Sequence, residues 1–232
     1  MNRCDFIKSE GIITKVIASI ENTLQIFDIE KMDKELNSFS TTNKLNFIKA
    51  TEKLPKQIII CTGSDIIIYN PSTNSEVDKI KNAHYGDATC CDSNPNKGNY
   101  FVSTGDDNYL KFWDLRKLNA PICMHSNPKC YKLKTIKYNR LYDQLVLAGG
   151  SNSTVDVWRV LSASSANIDS ISNISSYTKD DHDILLKSSE HENSIYSCEW
   201  SLSDYWIYAT LDFEGYLKIE GVPSEEKYKI LI

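Results

Sequence analysis

Four large aromatic residues recur in this chain at nearly constant spacing. They are Phe27, Tyr69, Trp113 and Trp158, and the intervals between them are 42, 44 and 45 residues. A period of about 40–45 residues that contains several short strands is typical of propeller blades with four strands each. Helical repeats of similar length are excluded, because no period shows sustained apolar spacing of 3.6 residues. The period therefore predicts an all-β chain built from propeller blades.

One period carries the clearest local pattern. Tyr100–Thr104 has the aromatic and β-branched residues that favour a strand, Gly105–Asn108 is typical of a turn, and Tyr109–Trp113 alternates again. These residues predict a β-hairpin that ends in Trp-Asp. His84 precedes that dipeptide by about thirty residues, and this pairing resembles the WD-repeat family.

The resemblance implies a buried polar network inside this blade. In WD repeats a His, a strand Ser or Thr, a turn Asp and the Trp indole nitrogen hydrogen-bond in series, so that each donor satisfies a buried acceptor. The matching positions here are His84, Ser103, Asp107 and Trp113. Their expected role is structural rather than catalytic.

Short β-branched runs place about five four-stranded blades along residues 1–232, expected to form one domain that is part of a seven-bladed propeller. The strands predicted for the first two blades are Cys4–Lys8, Ile13–Ile20, Thr23–Ile29, Leu36–Ser40, Leu45–Ala50, Gln57–Thr62, Ile66–Asn70 and Glu76–Ile80. The third blade adds Ala88–Ser93 and Ile122–His125 to the hairpin, and the fourth has Leu133–Tyr138, Gln144–Ala148, Thr154–Val160 and Ile184–Lys187, with Gly149–Asn152 as a turn.

The fifth blade matches the pattern less well. Its predicted strands are Ile195–Trp200, Trp206–Thr210, Gly215–Glu220 and Lys227–Ile232. Glu220 stands in the Trp place and Glu214 in the turn-Asp place, so the full network is not expected here. Residues 162–183 lie between the third and fourth strands of the fourth blade. They are rich in Ser, Asn and Asp and predict a disordered insertion.

Composition narrows the functional classes. A net charge of -5 and a pI near 5.4 argue against general nucleic-acid binding, which needs a basic surface. Seven cysteines without a framework spacing favour reduced thiols in the cytoplasm. The chain shows no signal-peptide pattern and no apolar run long enough to span a membrane.

No catalytic motif is present, and the sequence predicts neither an enzyme nor a cofactor. Cys123, His125 and Cys130 have metal-capable side chains, but no second Cys pair completes four ligands, so no metal site is predicted. The acidic stretches Asp180–Asp183 and Glu190–Glu192 are interpreted as solvated surface. A basic group is interpreted as ordinary strand solvation rather than a binding patch; it contains Lys129, Lys132, Lys134, Lys137 and Arg140.

Trp113–Arg116 fits the Trp-Asp-x-Arg pattern of substrate receptors in cullin-RING ubiquitin ligases. This resemblance implies that Arg116 can reach carboxylate or carbonyl groups of a ligase adaptor. A substrate receptor is therefore the alternative function within the class of binding proteins.

A closer resemblance covers roughly residues 80–232. The matching segments are Asn82–His84, Asn94–Lys97, Gly105–Asp107, Lys111–Asp114, Tyr138–Asn139, Asp143–Leu145, Glu190–Glu192, Ser194–Tyr196, Trp206–Ala209, Val222–Pro223 and Tyr228–Leu231. They resemble the EARP- and GARP-complex-interacting proteins, also called tumour-suppressing subtransferable candidate proteins. The resemblance implies a non-catalytic adaptor that binds vesicle-tethering complexes in endosomal recycling and retrograde traffic, and that is peripheral to endosomes or the trans-Golgi network.

The related family is longer at its N-terminus, and a seven-bladed ring of such repeats needs about 300 residues. Five blades can close a ring, but the sequence predicts either an open arc of blades or a strained, poorly latched ring. The apolar faces of the first and fifth blades would then be exposed, and self-association through these open ends is expected.

Overall fold

A computed structural model of the chain describes residues 3–9, 12–30, 35–53, 56–165 and 183–231. Within these ranges the strands form five antiparallel sheets that follow one another along the chain, and each sheet is one blade. Four sheets have four strands and the last has three. The predicted fold class, an all-β propeller architecture, is confirmed.

The strands are numbered along the chain. Blade 1 contains β1 (Arg3–Ser9), β2 (Ile12–Ile20), β3 (Thr23–Asp28) and β4 (Glu35–Ser40), and blade 2 contains β5 (Leu45–Ala50), β6 (Ile58–Thr62), β7 (Asp65–Asn70) and β8 (Ser75–Ile80). Blade 3 contains β9 (Ala88–Ser93), β10 (Tyr100–Gly105), β11 (Leu110–Asp114) and β12 (Cys123–His125). Blade 4 contains β13 (Leu133–Tyr138), β14 (Leu145–Gly150), β15 (Thr154–Val160) and β16 (Asp183–Glu190), and blade 5 contains β17 (Ile195–Trp200), β18 (Ile207–Asp212) and β19 (Leu217–Gly221), followed by helix α1 (Ser224–Leu231).

The hydrophobic core lies between neighbouring blades. In β6 every side chain is buried, because the strand is covered on both faces. Ile58 and Ile60 pack in the cluster shared with blade 1, whereas Ile59 and Cys61 pack in the cluster shared with blade 3. The apolar run of this strand is uninterrupted because blades 1 and 3 cover its two faces.

The predicted outer strand Lys227–Ile232 is wrong, because α1 occupies this part of the chain. The carbonyl of Pro223 accepts hydrogen bonds from the amides of Glu226 and Lys227 at 3.1 and 3.2 Å, which starts the helix. Acidic residues in the first turn and Lys229 in the last turn favour a helix through the macrodipole. Blade 5 therefore has three described strands instead of four.

The predicted turn at Gly149–Asn152 is also shifted. Strand β14 continues through Gly150, and the turn is formed by the next three residues, with Ser153 at a φ of +69°. A Cβ at position 149 would lie 2.6 Å from the Ile195 side chain of the neighbouring blade. Gly149 is therefore needed for close packing between blades rather than for turning the chain.

The predicted insertion at residues 162–183 is folded at both ends. Ser164 is buried, and the amide and hydroxyl of Ser165 donate to the Asp143 carboxylate at 2.7 and 2.8 Å. Asp183 is the first residue of β16. The remainder of the predicted insertion, residues 166–182, lies outside the described residues.

The innermost strands pack side by side in the order β1, β5, β9, β13 and β17. In the part of the chain that the structure describes, the first and last of these strands, β1 and β17, pack against each other less than successive strands do. The terminal blades expose apolar side chains: Phe6 and Ile20 in blade 1 are 44% and 45% exposed, and Leu217 and Ile219 in blade 5 are 62% and 69% exposed. Self-association through these ends stays a prediction.

No helix among the described residues is both long and apolar enough to cross a membrane.

Candidate functional site

The four residues predicted to form the blade 3 network lie within hydrogen-bonding distance in series. Nδ1 of His84 is 2.8 Å from Oδ1 of Asp107, and Nε2 of His84 is 2.8 Å from Oγ of Ser103. The indole nitrogen of Trp113 donates to the same Ser103 hydroxyl at 2.9 Å. Ser103 is fully buried and His84 is 2% exposed, so the network satisfies polar groups that water does not reach.

Local backbone geometry sets the positions of these side chains. Ser103 pairs with Lys111 across the hairpin, and Phe101 pairs with Trp113, which directs the Trp ring over the blade 2 side of the sheet. Gly105 leaves the space that His84 occupies, because a Cβ there would lie 2.5 Å from the imidazole Cγ. The sequence analysis treated Gly105 as a turn residue and did not predict this packing role.

The Asp107 carboxylate also organises the surface loop before β9. It accepts a hydrogen bond from the Tyr85 amide at 3.1 Å and pairs with Nζ of Lys111 at 3.0 Å. Lys111 in turn donates to the Ala83 carbonyl at 2.7 Å. The Tyr85 side chain is 91% exposed, so the buried network holds a fixed loop whose aromatic ring faces solvent.

Burial lowers the pKa of His84, and the neighbouring Asp107 carboxylate offsets this effect only in part. Burial alone would raise the pKa of Asp107, but hydrogen bonds from His84 and Lys111 hold it well below its usual range. At neutral pH the network therefore contains a neutral imidazole and an ionised carboxylate.

Acidification is expected to destabilise the chain through both groups. Because the unfolded chain binds a proton at His84 near pH 6.5 and the folded chain does not, stability falls below that pH by up to about 1.4 kcal/mol per pH unit. The Asp107 contribution is present above a pH of about 4 and is lost below it. Urea unfolding of the parent and of His84→Gln at several pH values tests this. A parent slope between pH 7 and 5 equal to that of the variant would contradict the assignment.

Blade 5 contains a related network that the sequence analysis did not predict. Nε2 of His191 is 2.7 Å from Oγ1 of Thr210, and Nδ1 lies 3.4 Å from Oδ2 of Asp212. Glu214, the predicted acid, instead accepts a hydrogen bond from Asn193. Glu220 pairs with Lys187 of blade 4 at 3.0 Å. The interpretation of 190–192 as solvated surface is therefore wrong for His191, which is buried.

Nine connections lie at one end of the propeller among the described residues: five turns between strands and four loops between blades. In an antiparallel sheet with sequential strands, the turn between the second and third strands and the loop leading to the next blade share one end. Backbone hydrogen bonds join them: His84 donates to Ser64, Asp106 to Asp87, and Ser151 to Tyr131. We call this end the aromatic face because of its exposed rings, which are Tyr85, Tyr109, Tyr131, Tyr196, Phe213 and Tyr216.

A cavity of about 450 Å³ opens among the innermost strands near the aromatic face. Its lining includes Tyr196 and Phe213, whose rings pack edge to face with centroids 5.2 Å apart. Lys44 and Lys134 also line it, together with Asp87. The cavity is mixed in character, with apolar rings next to charges of both signs.

Arg116 is placed at a blade edge with its side chain 62% exposed. Its guanidinium forms a two-pronged contact with Asp114, with Nε 2.9 Å from Oδ1 and Nη2 2.7 Å from Oδ2. These hydrogen bonds lower the pKa of Asp114. Arg116 is therefore accessible to a partner, but its guanidinium group already binds the carboxylate of Asp114 in the same turn.

The basic group of blade 4 consists largely of paired charges. Lys132 and Lys134 lie 3.7 and 3.1 Å from Asp106, Lys137 lies 2.8 Å from Glu199, and Arg140 lies 2.6 Å from Glu52. Ion pairing with other blades, rather than ordinary solvation, explains these four residues. They do not form an uncompensated basic patch.

The described cysteines are all free thiols. Burial raises the pKa of Cys90 and of Cys198 to about 12, so both remain protonated at neutral pH. Cys130 accepts a hydrogen bond from the Thr154 hydroxyl at 3.1 Å.

Comparison with known proteins places this geometry in a family. The model of the WD domain, G-beta repeat, matches residues 76–114, which contain His84, Ser103, Asp107 and Trp113. Residues 76–114 are therefore a WD repeat. A solved chain from a crystal structure of the mitotic checkpoint complex has a similar fold, with a TM-score of 0.74 over 97% of this chain and 62% of that one at 13% identity.

Two curated proteins resemble the chain more closely in sequence. Human EARP and GARP complex-interacting protein 1 is 32% identical over 188 residues, which cover 75% of this chain and 48% of the relative. The zebrafish (Danio rerio) EARP-interacting protein homolog is 30% identical over 94% of this chain and 62% of its own length. The chain spans about half the length of the human relative and less than two thirds of the zebrafish one.

Proposed function

We propose that this chain is a non-catalytic adaptor that binds tethering complexes of the EARP and GARP type through the aromatic face. The observation that carries the proposal is the set of exposed rings on one end of the propeller. Two support it most directly: Tyr85 is 91% exposed and Tyr131 is 61% exposed, in loops that precede successive blades. The names of the similar human and zebrafish proteins supply the class of partner.

The physical reason lies in what aromatic rings contribute to an interface. Tyr and Phe offer large contact area with little loss of side-chain entropy, and they are enriched among residues that dominate binding energy. Here the loop of Tyr85 is held by the Asp107 carboxylate, so a partner does not have to order it. The charges near these rings are largely paired, which favours a protein surface over a polyanion.

Binding to such complexes would give the chain its place in the cell. A tethering complex acts at membranes, so an adaptor that binds one is recruited to the membrane without a spanning segment of its own. We therefore propose a role in endosomal recycling and in endosome-to-Golgi retrograde traffic, with the protein peripheral to endosomes or the trans-Golgi network.

Replacement of Tyr85 and Tyr131 by Ala tests the proposed face. We expect capture of purified EARP or GARP complex by the double variant to fall at least about tenfold, since each ring is worth about 1–2 kcal/mol when it anchors an interface. The matched control is the double variant Leu141→Ala and Leu202→Ala, two exposed residues at the opposite end of the propeller. Equal capture by the two double variants, both with parental melting temperatures, would contradict the proposed face.

A cullin-RING substrate receptor is the second candidate, and the exposure of Arg116 favours it. Arg116→Ala is expected to leave capture of tethering complexes unchanged, because the residue is remote from the proposed ring contacts. Loss of a cullin adaptor from this variant, together with intact tethering-complex capture, would assign a separate ligase contact to Arg116. A parent that captures the adaptor but no tethering complex would favour the receptor function instead.

A further inference from the structure

Three metal-capable side chains meet at the outer rim between blades 3 and 4. Cys123 and His125 are two residues apart on β12, and alternate residues of a strand point to the same face. Asp183, the first residue of β16, reaches them from the next blade. The sulfur, an imidazole nitrogen and a carboxylate oxygen of these residues all lie within 4.8 Å of one another.

Neighbouring contacts hold two of the three donors in position. Nε2 of His125 is 3.0 Å from Oδ2 of Asp183. The other carboxylate oxygen accepts a hydrogen bond from the Ser162 amide at 3.0 Å, which fixes its orientation. The imidazole also stacks on Trp158, with ring centroids 5.6 Å apart. A metal ligand oriented by such surrounding contacts loses little freedom on binding.

The cluster is sheltered but not sealed. The side chains of His125 and Asp183 are 19% and 11% exposed, and Cys123 is partly buried. An ion can therefore enter from the rim, and one coordination position remains for water.

We propose that Cys123, His125 and Asp183 form a binding site for a zinc-like divalent cation, with three protein ligands and a water molecule. One thiolate, one imidazole and one carboxylate are the donor types that tetrahedral Zn²⁺ accepts, whereas Mg²⁺ and Ca²⁺ prefer oxygen alone. Because the three donor atoms already lie within 4.8 Å of one another, small side-chain adjustments are enough to reach zinc bonds of about 2.0–2.3 Å.

Binding at this site is coupled to proton release. The Cys123 thiol gives its proton to the solvent as the sulfur bonds to the cation. The proton on Nε2 of His125, which forms the hydrogen bond with Asp183, moves through water to Nδ1, so that Nε2 and the carboxylate can each bind the metal. Since the three ligands belong to two blades, the bound ion acts as a cross-link at the rim. Sequence spacing predicts no metal site here, because it places Cys123 and His125 near Cys130 and gives no sign of the contact with Asp183.

Cobalt titration of the purified, metal-stripped chain tests the site. We expect a thiolate-to-cobalt charge-transfer band that saturates at one equivalent, disappears on addition of Zn²⁺, and is accompanied by release of about one proton. Zinc is also expected to raise the melting temperature, because a ligand that binds only the folded state stabilises it. Cys123→Ser and His125→Gln should abolish the band.

The matched control is Cys4→Ser, which removes an exposed thiol on blade 1 and should leave the band unchanged. Asp183→Asn, which preserves the shape of the side chain, should weaken cobalt binding at least tenfold and provides a readout if the His125 variant does not fold. The absence of a one-equivalent band in the folded parent would reduce the cluster to a hydrogen-bonded contact and overturn the proposal. A band that survives Cys123→Ser and disappears in Cys4→Ser would also overturn it.

Discussion

Trp113→Ala is expected to lower the free energy of unfolding by about 3–5 kcal/mol, the cost of removing a large aromatic side chain from a packed core. Trp113 is 3% exposed and stacks against Phe101 with ring centroids 6.2 Å apart. It also belongs to the apolar cluster that joins blades 2 and 3. The loss is comparable to the whole stability margin of many domains, so the variant should be partly unfolded at 37 °C.

Trp113→Phe separates the packing contribution from the hydrogen-bond contribution. The Phe ring keeps part of the stacking on Phe101 but cannot donate to Ser103, so we expect a loss of about 1–3 kcal/mol. Urea unfolding followed by circular dichroism measures both variants against the parent. Parental stability of Trp113→Ala would show that the indole is not a buried anchor, whatever the result for Trp113→Phe.

The strands of this chain were predictable because their signals are local. Alternating residues and β-branched runs placed β5, β7 and β15 close to their observed bounds. The relative positions of Ser103, Asp107 and Trp113 also follow from one hairpin with a short turn, where sequence spacing fixes the geometry. The His84 contact needed the resemblance to WD repeats, because it joins a loop to that hairpin.

The residue spacing of blade 3 gave a wrong prediction in blade 5, because a different carboxylate lies beside the histidine there. In blade 5 the predicted acid was Glu214, placed four residues after Thr210 as Asp107 is after Ser103. The structure uses Asp212 beside His191, at the end of β18, while Glu214 binds Asn193. A search for any carboxylate near the strand end would have found Asp212, whereas copying the blade 3 spacing did not.

Contacts between distant parts of the chain carried no sequence signal. Asp183 lies 58 residues from His125, and Arg140 pairs with Glu52 across 88 residues. Each depends on the way neighbouring blades approach one another, which the repeat period leaves open. Alternation at Tyr228, Ile230 and Ile232 resembled a strand, but the preceding Pro223 and the acidic first turn favoured a helix.

Helix α1 is attached to the propeller by a buried ion pair. Nη1 of Arg159, a 3% exposed residue of β15, lies 2.9 Å from Oε2 of Glu226. Lys229 also contacts this glutamate at 2.6 Å, in the next turn of the helix. The helix follows blade 5, whereas Arg159 belongs to blade 4. The ion pair therefore connects the last described residues of the chain to blade 4.

Glu226→Ala is expected to destabilise the chain by about 3–5 kcal/mol, because it breaks the buried ion pair between Glu226 and Arg159. The matched control is Glu225→Ala, which removes an exposed carboxylate from the same helical turn and should change stability by less than about 0.5 kcal/mol. Restoration of much of the loss by adding Arg159→Met to Glu226→Ala would show that the broken ion pair, rather than a loss of the helix itself, causes it. Equal unfolding free energies for the Glu225 and Glu226 variants would mean that α1 is not held by this pair.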